Sequence, residues 1–530
     1  MQRRGFITAL TMASAAAALP RPSLAQSAGS RTLIFVPQAN LTSLDPVWTT
    51  ATVTRNFAYL VYDTLYGVDE KLQPQPQMAQ GHTIEDDGKR WTITLRPNLK
   101  FHDGSPVRAV DCAASIKRWM KRDSLGQTVA SRLDAIETPN DTTLVFRLNK
   151  PFASLAWALG KSQPSPPVIM PERLANTDAF KAVTEVVGSG PFRFVTNEYI
   201  SGSRAIFAKF DGYVPRDEAP SATAGAKRPL VDRVEWRIIP EAATAAAALR
   251  AGEVDWVEQP LTDLIPQLRN DASLRVDRLD PFGLYPVLRF NSLQGPTANK
   301  GVRQALLAAL NPIEVMQAVM GDDASAYHAP IGCFLPGTES ANDAGMDRLG
   351  GKRTVAEIKK MLDDAKYDGS PVILLHPTDQ PYYDAMAQVT LATCKRVGIA
   401  VTDAAMDFGT VVQRRASKEP LDKGGWSMFS SSFPALDYVD PLGAPALRGN
   451  GAGAWYGWPT AAKVESARDA WLESNDVGER KRLATEMQAA VFEEALYAPM
   501  GQYFQSTAWN KRITGQLKAP VPVFWNLQKA

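Results

Sequence analysis

Cysteine and histidine are scarce in this chain, with 3 and 4 copies among 530 residues. Cys112, Cys333 and Cys394 cannot all pair within one chain, which excludes a disulfide-built scaffold. Cys112 and Cys394 fall in helical patterns and read as small core hydrophobes. A Cys333–Cys394 bridge stays open to an oxidising compartment. His82, His102, His328 and His376 form no His-x-x-x-His spacing, and no Cys-x-x-Cys is present, so no metal site is expected. A Gly-x-Ser-x-Gly nucleophile turn is also missing. Gly160-Lys161-Ser162 ends like a phosphate-binding loop, but Leu155 stands where that loop needs glycine, and no strand-to-helix context surrounds it. Gly449–Ala454 fits the letters of a dinucleotide fingerprint, yet it follows Pro445 and Arg448 in a loop rather than a buried strand. The paired acids Asp86-Asp87 and Asp322-Asp323 lie in polar turns and read as solvated.

An excess of charge is missing too. The formal net charge is +2, and residues 1–25 hold Arg3, Arg4 and Arg21 with no acid, leaving 55 bases against 56 acids in the remainder. That balance excludes nucleic-acid binding as a main function. Beyond the amino terminus no stretch offers the roughly 20 uninterrupted apolar residues of a membrane span.

What is present begins with an export signal. Arg3-Arg4-Gly5-Phe6-Ile7 has the twin-arginine form, Ile7–Leu19 is a short apolar run, and Ser23-Leu24-Ala25 sets small residues before a cut at Gln26. No cysteine stands at that cut to take a lipid, so a soluble, unanchored periplasmic protein is predicted. With 45% apolar and 22% charged residues the rest is ordinary globular sequence, too long for one core.

The most informative stretch is Trp91–Arg118. Trp91, Ile93 and Leu95 alternate with Thr92 and Thr94, which predicts a strand with one buried face. Pro97-Asn98 and Asp103-Gly104 supply turns. Asp111 is placed to cap a helix whose Cys112, Ile116, Trp119 and Met120 share a face. Pro139-Asn140-Asp141 separates two strands of a hairpin. A strand over Val234–Ile239, a helix opened by Pro240-Glu241 and closed near Gly252, and Val254–Val257 predict a parallel βαβ unit. Val372–Leu375, a helix over Ala385–Val397 with Gly398 at its end, and Ile399–Val401 predict another. A helix is expected over Thr52–Leu65. Asn311-Pro312 caps and starts another helix, and Leu483, Met487, Ala490 and Val491 mark an amphipathic one.

The wording of Trp91–Arg118 resembles the signature of the dipeptide/oligopeptide/nickel group of solute-binding proteins, which feed ABC importers. Gly188–Phe192, Ala246–Asp255, Arg289-Phe290-Asn291 with Val302–Leu306, Gly398–Val401 and Asp437–Pro441 resemble further landmarks of that family, in its order. The resemblance implies an α/β, two-lobed periplasmic-binding-protein-like fold with mixed sheets and an extra subdomain in the first lobe. Lobe one is expected over 30–288 plus 502–530, with the subdomain at about 66–185, and lobe two over 289–501. The crossings are expected near Arg289–Asn291 and Gln502–Phe504, and closure by hinge motion. The implied function is capture of a small solute for a membrane permease by a monomer that is not an enzyme and needs no cofactor. The alternatives are a periplasmic ligand sensor and an exported hydrolase.

For ligand contacts the aromatic loops around Asp437 are the candidates. Trp426, Phe433, Trp455, Tyr456 and Trp458 are interleaved with Gly, Ser and Pro, a composition suited to a cleft; Tyr503 at the second crossing joins them. In the peptide-binding relatives an aspartate in this region pairs with the ligand's α-ammonium, a role the resemblance implies for Asp437. Those relatives place an aromatic three residues before the aspartate, whereas Phe433 stands four before Asp437. Asp440-Pro441 reads as a turn, as does His102-Asp103.

Overall fold

The computed structural model describes residues 31–474 and 476–530. The twin-arginine leader and its cut at Gln26 lie outside them.

Two seven-stranded sheets dominate. In the first, Thr32–Val36 lies between Arg233–Arg237 and Trp256–Val257 and runs parallel to both. The crossover between those neighbours is the helix Ala242–Ala251, whose cap Glu241 accepts hydrogen bonds from the amides of Ala243 and Thr244, and which ends at Gly252 with φ of +74°. The predicted βαβ unit is therefore present, with its first strand ending at Arg237 rather than Ile239. Arg204–Lys209 and Phe192–Phe194 extend one side, and Thr507–Asn510 and Leu274–Asp277 the other, all antiparallel.

The second sheet orders Tyr327–His328, Gln502–Tyr503, Leu284–Phe290, Met428–Pro434, Val372–Pro377 and Val401–Met406, with Tyr497–Pro499 also on Leu284–Phe290. Val372–Pro377 and Val401–Met406 are parallel and joined by the helix Pro381–Val397. That helix starts at Pro381 instead of Ala385, because proline suits a first helical position. Its partner strand begins at Val401, where the expected one ends.

Upstream of both crossover units in the chain, Ala79–Glu85, Arg90–Leu95, Thr143–Leu148 and Leu133–Asn140 form an antiparallel four-stranded sheet. Trp91, Ile93 and Leu95 are buried in it, as the alternation predicts. The capping assignment needs correction. The helix Ala109–Met120 is preceded by Arg108, and Asp111 sits one turn inside, accepting from the amides of Arg108 and Glu172 at 2.8 Å each. A carboxylate in the first turn can reach back to the orphan amide and do a cap's work from within. The helix expected over Thr52–Leu65 stops at Val61. Asn311 accepts from the Ile313 amide and starts Pro312–Met320 as expected. Leu483, Met487, Ala490 and Val491 form the buried stripe of Val477–Glu494.

The first-sheet strand Leu274–Asp277 is followed by Leu284–Phe290, which pairs along its whole length with Pro434–Met428. The chain thus changes sheets over 278–283, upstream of the expected Arg289–Asn291, because those residues continue one seven-residue strand. It returns over 504–506, after Gln502–Tyr503 has paired in the second sheet.

Several motifs acquire structural reasons. Asp255, fully buried, accepts from the Ile34 amide at 2.7 Å and from Arg512 and Lys529, tying the carboxyl-terminal tail to the first strand. Arg289 donates to the carbonyls of Tyr456, Ala446, Leu496 and Trp455, and Arg303 to four others. A Cβ at Gly188 would meet the Val61 carbonyl oxygen at 1.9 Å, so only glycine lets this turn pack on the helix. His102 holds the same turn through its Nε2 contact to the Gly190 carbonyl at 3.0 Å, and burial pushes its pKa down to about 4. It is neutral at physiological pH and part of a turn. Cys112, Cys333 and Cys394 are all free and buried, so no Cys333–Cys394 bridge forms.

Candidate functional site

The two lobes meet along a cleft whose first wall begins with the helix Thr52–Val61. This decapeptide, TVTRNFAYLV, packs apolar residues on every side, so Arg55, Asn56 and Tyr59 are carried into the interior with them. Next to it the loop Lys161–Gln163 follows the short helix Leu155–Ala158, with the Tyr59 hydroxyl donating to the Lys161 carbonyl at 2.9 Å. Lys161 pairs with Asp123 at 2.5 Å, both 7% exposed. The opposite wall is the tight turn Ala435–Tyr438, where Met428–Pro434 leaves the second sheet.

Asp437 sits on that turn and is 5% exposed. Among the described residues its carboxylate has no hydrogen-bond or ion-pair partner. Burial pushes its pKa up to about 7; Lys161 and Arg55 oppose the shift and Asp123 adds to it. A carboxylate buried this way demands a cation or a proton. Close by, Ser162 Oγ and both amide atoms of Gln163 are buried without a partner among the described residues. A Cβ on Gly443 would lie 3.4 Å from the Asp437 carbonyl oxygen and 3.8 Å from Gln163 Nε2, which places that amide beside the aspartate's turn. Asp440 accepts from the Leu442 amide at 2.7 Å and shapes the following turn.

The other expected contacts separate into two groups. Phe433 touches Tyr438 and Trp455, with ring centroids 5.7 and 5.0 Å apart, and so stands next to Asp437. Tyr503 is buried at the second crossing, its hydroxyl 3.4 Å from Ser432 Oγ and its ring beside Tyr382. Trp426 and Trp458, by contrast, pack with Phe429, Leu375 and Val411 in a core of the second lobe, with Trp455 and Tyr456 at its edge. Arg415 lies over the rings of Phe429, Trp455 and Tyr456, and Lys418 over Trp458. The aromatic cluster is thus continuous, and only its Phe433–Trp455 end reaches the aspartate's turn.

Beside this turn, at the lobe junction, lies a cavity lined by Thr52, Arg55, Glu258, Asp280, Pro434 and Gln505 among others. Burial pushes Glu258 up to about 7 and Asp280 up to about 6. Arg55, Lys161, Ser162, Gln163, Glu258 and Asp280 were not among the residues singled out in the sequence. For Arg55 a signal exists: it is the one charge on its helix. Lys161-Ser162 drew notice only as a failed phosphate loop.

The geometry can be set beside known proteins. Residues 73–450 match the model of the bacterial extracellular solute-binding proteins, family 5, middle region. The chain is 35% identical over 536 residues, covering 100% of both, to the probable peptide ABC transporter periplasmic-binding protein y4tO of Sinorhizobium fredii (strain NBRC 101917 / NGR234). Among solved structures it resembles the periplasmic binding protein AgaA of A. tumefaciens R10 in complex with agropinic acid (TM-score 0.79, 20% identity, 94% of this chain and 99% of that one). It also resembles DppA of Helicobacter pylori in complex with the peptide STSA (TM-score 0.78, 20% identity, 94% and 98%). At that identity these structures establish the two-lobed fold alone. The matched length and the full-length relative place the chain more narrowly: it belongs to family 5 of the bacterial extracellular solute-binding proteins.

Proposed function

We propose that this chain is the periplasmic binding component of an ABC importer, exported by its twin-arginine leader without a lipid anchor. It captures a small peptide or peptide-like solute between its lobes and carries out no bond chemistry. The observation that carries the reading is Asp437, a buried carboxylate with no partner of its own and a pKa pushed to about 7. The ammonium group of a peptide supplies the missing cation, and Ser162 and Gln163 supply hydrogen bonds beside it. Phe433 and Trp455 offer ring faces to the adjoining side chain. The likeness to a probable peptide transporter's binding protein supports the same class of solute.

The lobes close by rotating about the two crossings, 278–283 and 504–506. Contacts between them at the far side of the cleft, Arg468 to Thr128 Oγ1 at 3.1 Å and Lys150 to Glu473 at 2.6 Å, then hold the closed form that the permease receives. The test is native mass spectrometry of protein purified gently from periplasm, followed by calorimetry with the released ligand and with Ala-Leu, Ala-Leu-Ala and their N-acetyl forms. A ligand with a free amine, and loss of binding on acetylation, is the expected result. Equal binding of free and acetylated peptides would remove Asp437 from the ammonium role.

A further inference from the structure

Two loops on the outside of the first lobe present aromatic rings to solvent. Phe180, 63% exposed, is the most exposed large apolar residue among those described, and Trp48, at 40%, is their one exposed tryptophan. Arg122 draws them together. Its Nη2 donates to the Trp48 carbonyl at 2.8 Å, and its guanidinium carbon lies 4.9 Å from the centroid of the Phe180 ring.

A buried ion pair holds this arrangement from below. Asp45 and Arg118 meet at 2.7 Å with both side chains out of solvent. Asp45 accepts from the amides of Val47 at 3.0 Å and Val183 at 2.8 Å, and Arg118 donates to the carbonyls of Thr177 at 3.2 Å and Lys181 at 2.9 Å. One pair thus fixes the turn that holds Trp48, the end of the helix Ala109–Met120 and the loop that holds Phe180. Burying two charges yields little net stability, and a ring left in water yields none. Single exposed apolar residues are ordinary; two tied together on a buried polar support mark an interaction surface.

Charge decides what covers it. Lys121 and Lys181 adjoin Arg122 and Phe180 in the chain, and Lys117 lies one turn back on the helix; all three lysines are exposed. None of these four cations has a carboxylate within ion-pair distance among the described residues. The neighbouring acids are largely spent: Asp45 is buried in its pair and Glu185 is held by Arg173 at 2.5 Å. That leaves Asp178, which accepts from the Phe180 amide at 3.0 Å. Protein interfaces are depleted in lysine, a strongly hydrated point charge. An anionic lipid surface accepts lysine in any orientation and takes aromatic rings at the level of its headgroups.

We propose that this patch rests reversibly on the anionic phospholipid surface of the membrane facing the periplasm. The proposal needs the periplasmic location given above but not the peptide reading. Such contact keeps an unanchored carrier in the plane where its permease lies, while a few charges and two rings bind weakly enough for release.

The test is co-sedimentation of the mature chain with vesicles of phosphatidylglycerol and phosphatidylethanolamine, and with vesicles of phosphatidylcholine alone, at low and at physiological ionic strength. Binding to the anionic vesicles should be tighter by about tenfold or more, and should weaken with salt without vanishing. Lys121→Gln and Lys181→Gln should each weaken it about fivefold, and Phe180→Ser about tenfold. Thermal unfolding and peptide calorimetry should not change in any of the three. Lys481→Gln, exposed on the second-lobe helix Val477–Glu494, controls for overall charge and should bind vesicles as wild type does. Equal binding to both vesicle types, binding confined to low salt, binding that survives Phe180→Ser and the lysine changes, or an equal loss in Lys481→Gln overturns the proposal. Attachment only to vesicles that contain the permease assigns the patch to a protein partner, and self-association lost in Phe180→Ser without vesicle binding assigns it to a second copy; either overturns it too.

Discussion

Asp437→Asn should move ligand binding and ligand-free stability in opposite directions. The carboxylate is 5% exposed and no donor among the described residues reaches it. Its shift from 3.8 to about 7 amounts to about 4 kcal/mol against holding it ionised in the closed, empty cleft, at roughly 1.4 kcal/mol per pH unit. Because its folded value lies above its unfolded one, its contribution to folding is full below pH 3.8 and is lost progressively as pH rises from there through about 7. Between pH 5 and pH 8 the loss integrates to about 2–3 kcal/mol for the closed form, and less to the extent that opening hydrates the group. Asparagine, uncharged and of the same shape, has no such dependence. Urea unfolding of ligand-free protein should find the variant's stability advantage over wild type growing by about 1–3 kcal/mol between pH 5 and pH 8. Glu258, Asp280 and Asp440, also raised by burial, act equally on both proteins and cancel in the difference. Calorimetry at pH 8 with an amine-bearing peptide should show the variant weakened at least tenfold, since breaking a buried charge pair typically costs about 2–5 kcal/mol. A variant that is less stable at pH 8, or that binds with unchanged affinity, refutes the argument.

Other parts of the molecule give sharper structural tests. Lys227 and Asp63 form an ion pair at 2.7 Å that is 0% and 1% exposed, with Tyr213 also donating to Asp63. Lys227→Met leaves that carboxylate without its cation and should lower unfolding free energy by about 3–5 kcal/mol in urea titration; a loss under 1 kcal/mol would show that the pair does not hold the fold. The three cysteines are buried, and burial pushes Cys333 and Cys394 up to about 12. A thiol reagent at pH 8 should therefore label none of them in the native protein and all three in denaturant, and dithiothreitol should leave the melting temperature unchanged. A reducing shift would reinstate the Cys333–Cys394 bridge.

The fold was legible wherever the cause is local. Trp91, Ile93 and Leu95 announce a half-buried strand by period alone, and Asn311-Pro312 announces a helix start by stereochemistry. Errors appear where a neighbour in space decides. Asp111 looked like a cap because its amide-binding chemistry is right, but Arg108 begins the helix and Asp111 serves it from within while also holding the Glu172 amide. The first crossing was placed at Arg289–Asn291 because those residues carry a family motif. Their role is to stitch the loop holding Trp455 and Tyr456 onto the strand. Arg55, Gln163 and Asp280 are harder still, since their burial exists only once two distant stretches of chain face each other.

Aromatic residues and partnerless polar groups therefore carry different information about this cleft. Trp426 is fully buried among Phe429, Trp458, Leu375 and Val411, a role that packing alone rewards. Its unpaired indole Nε1 is a single weak donor. Gln163 is 3% exposed with both amide atoms unpaired, an arrangement that folding disfavours and that a ligand can satisfy. Substitutions should separate the two. Trp426→Ala empties a core site and should cost about 3–5 kcal/mol of stability, while leaving peptide affinity at 10 °C within about threefold where the protein remains folded. Gln163→Leu keeps the volume and removes the unmet polar groups, so ligand-free stability should hold or rise by about 1 kcal/mol while peptide affinity falls about tenfold. Urea unfolding and calorimetry on the same two proteins read both axes. If Gln163→Leu destabilises the empty protein and binds peptide normally, its amide serves the fold and the cleft lies elsewhere along the lobe boundary.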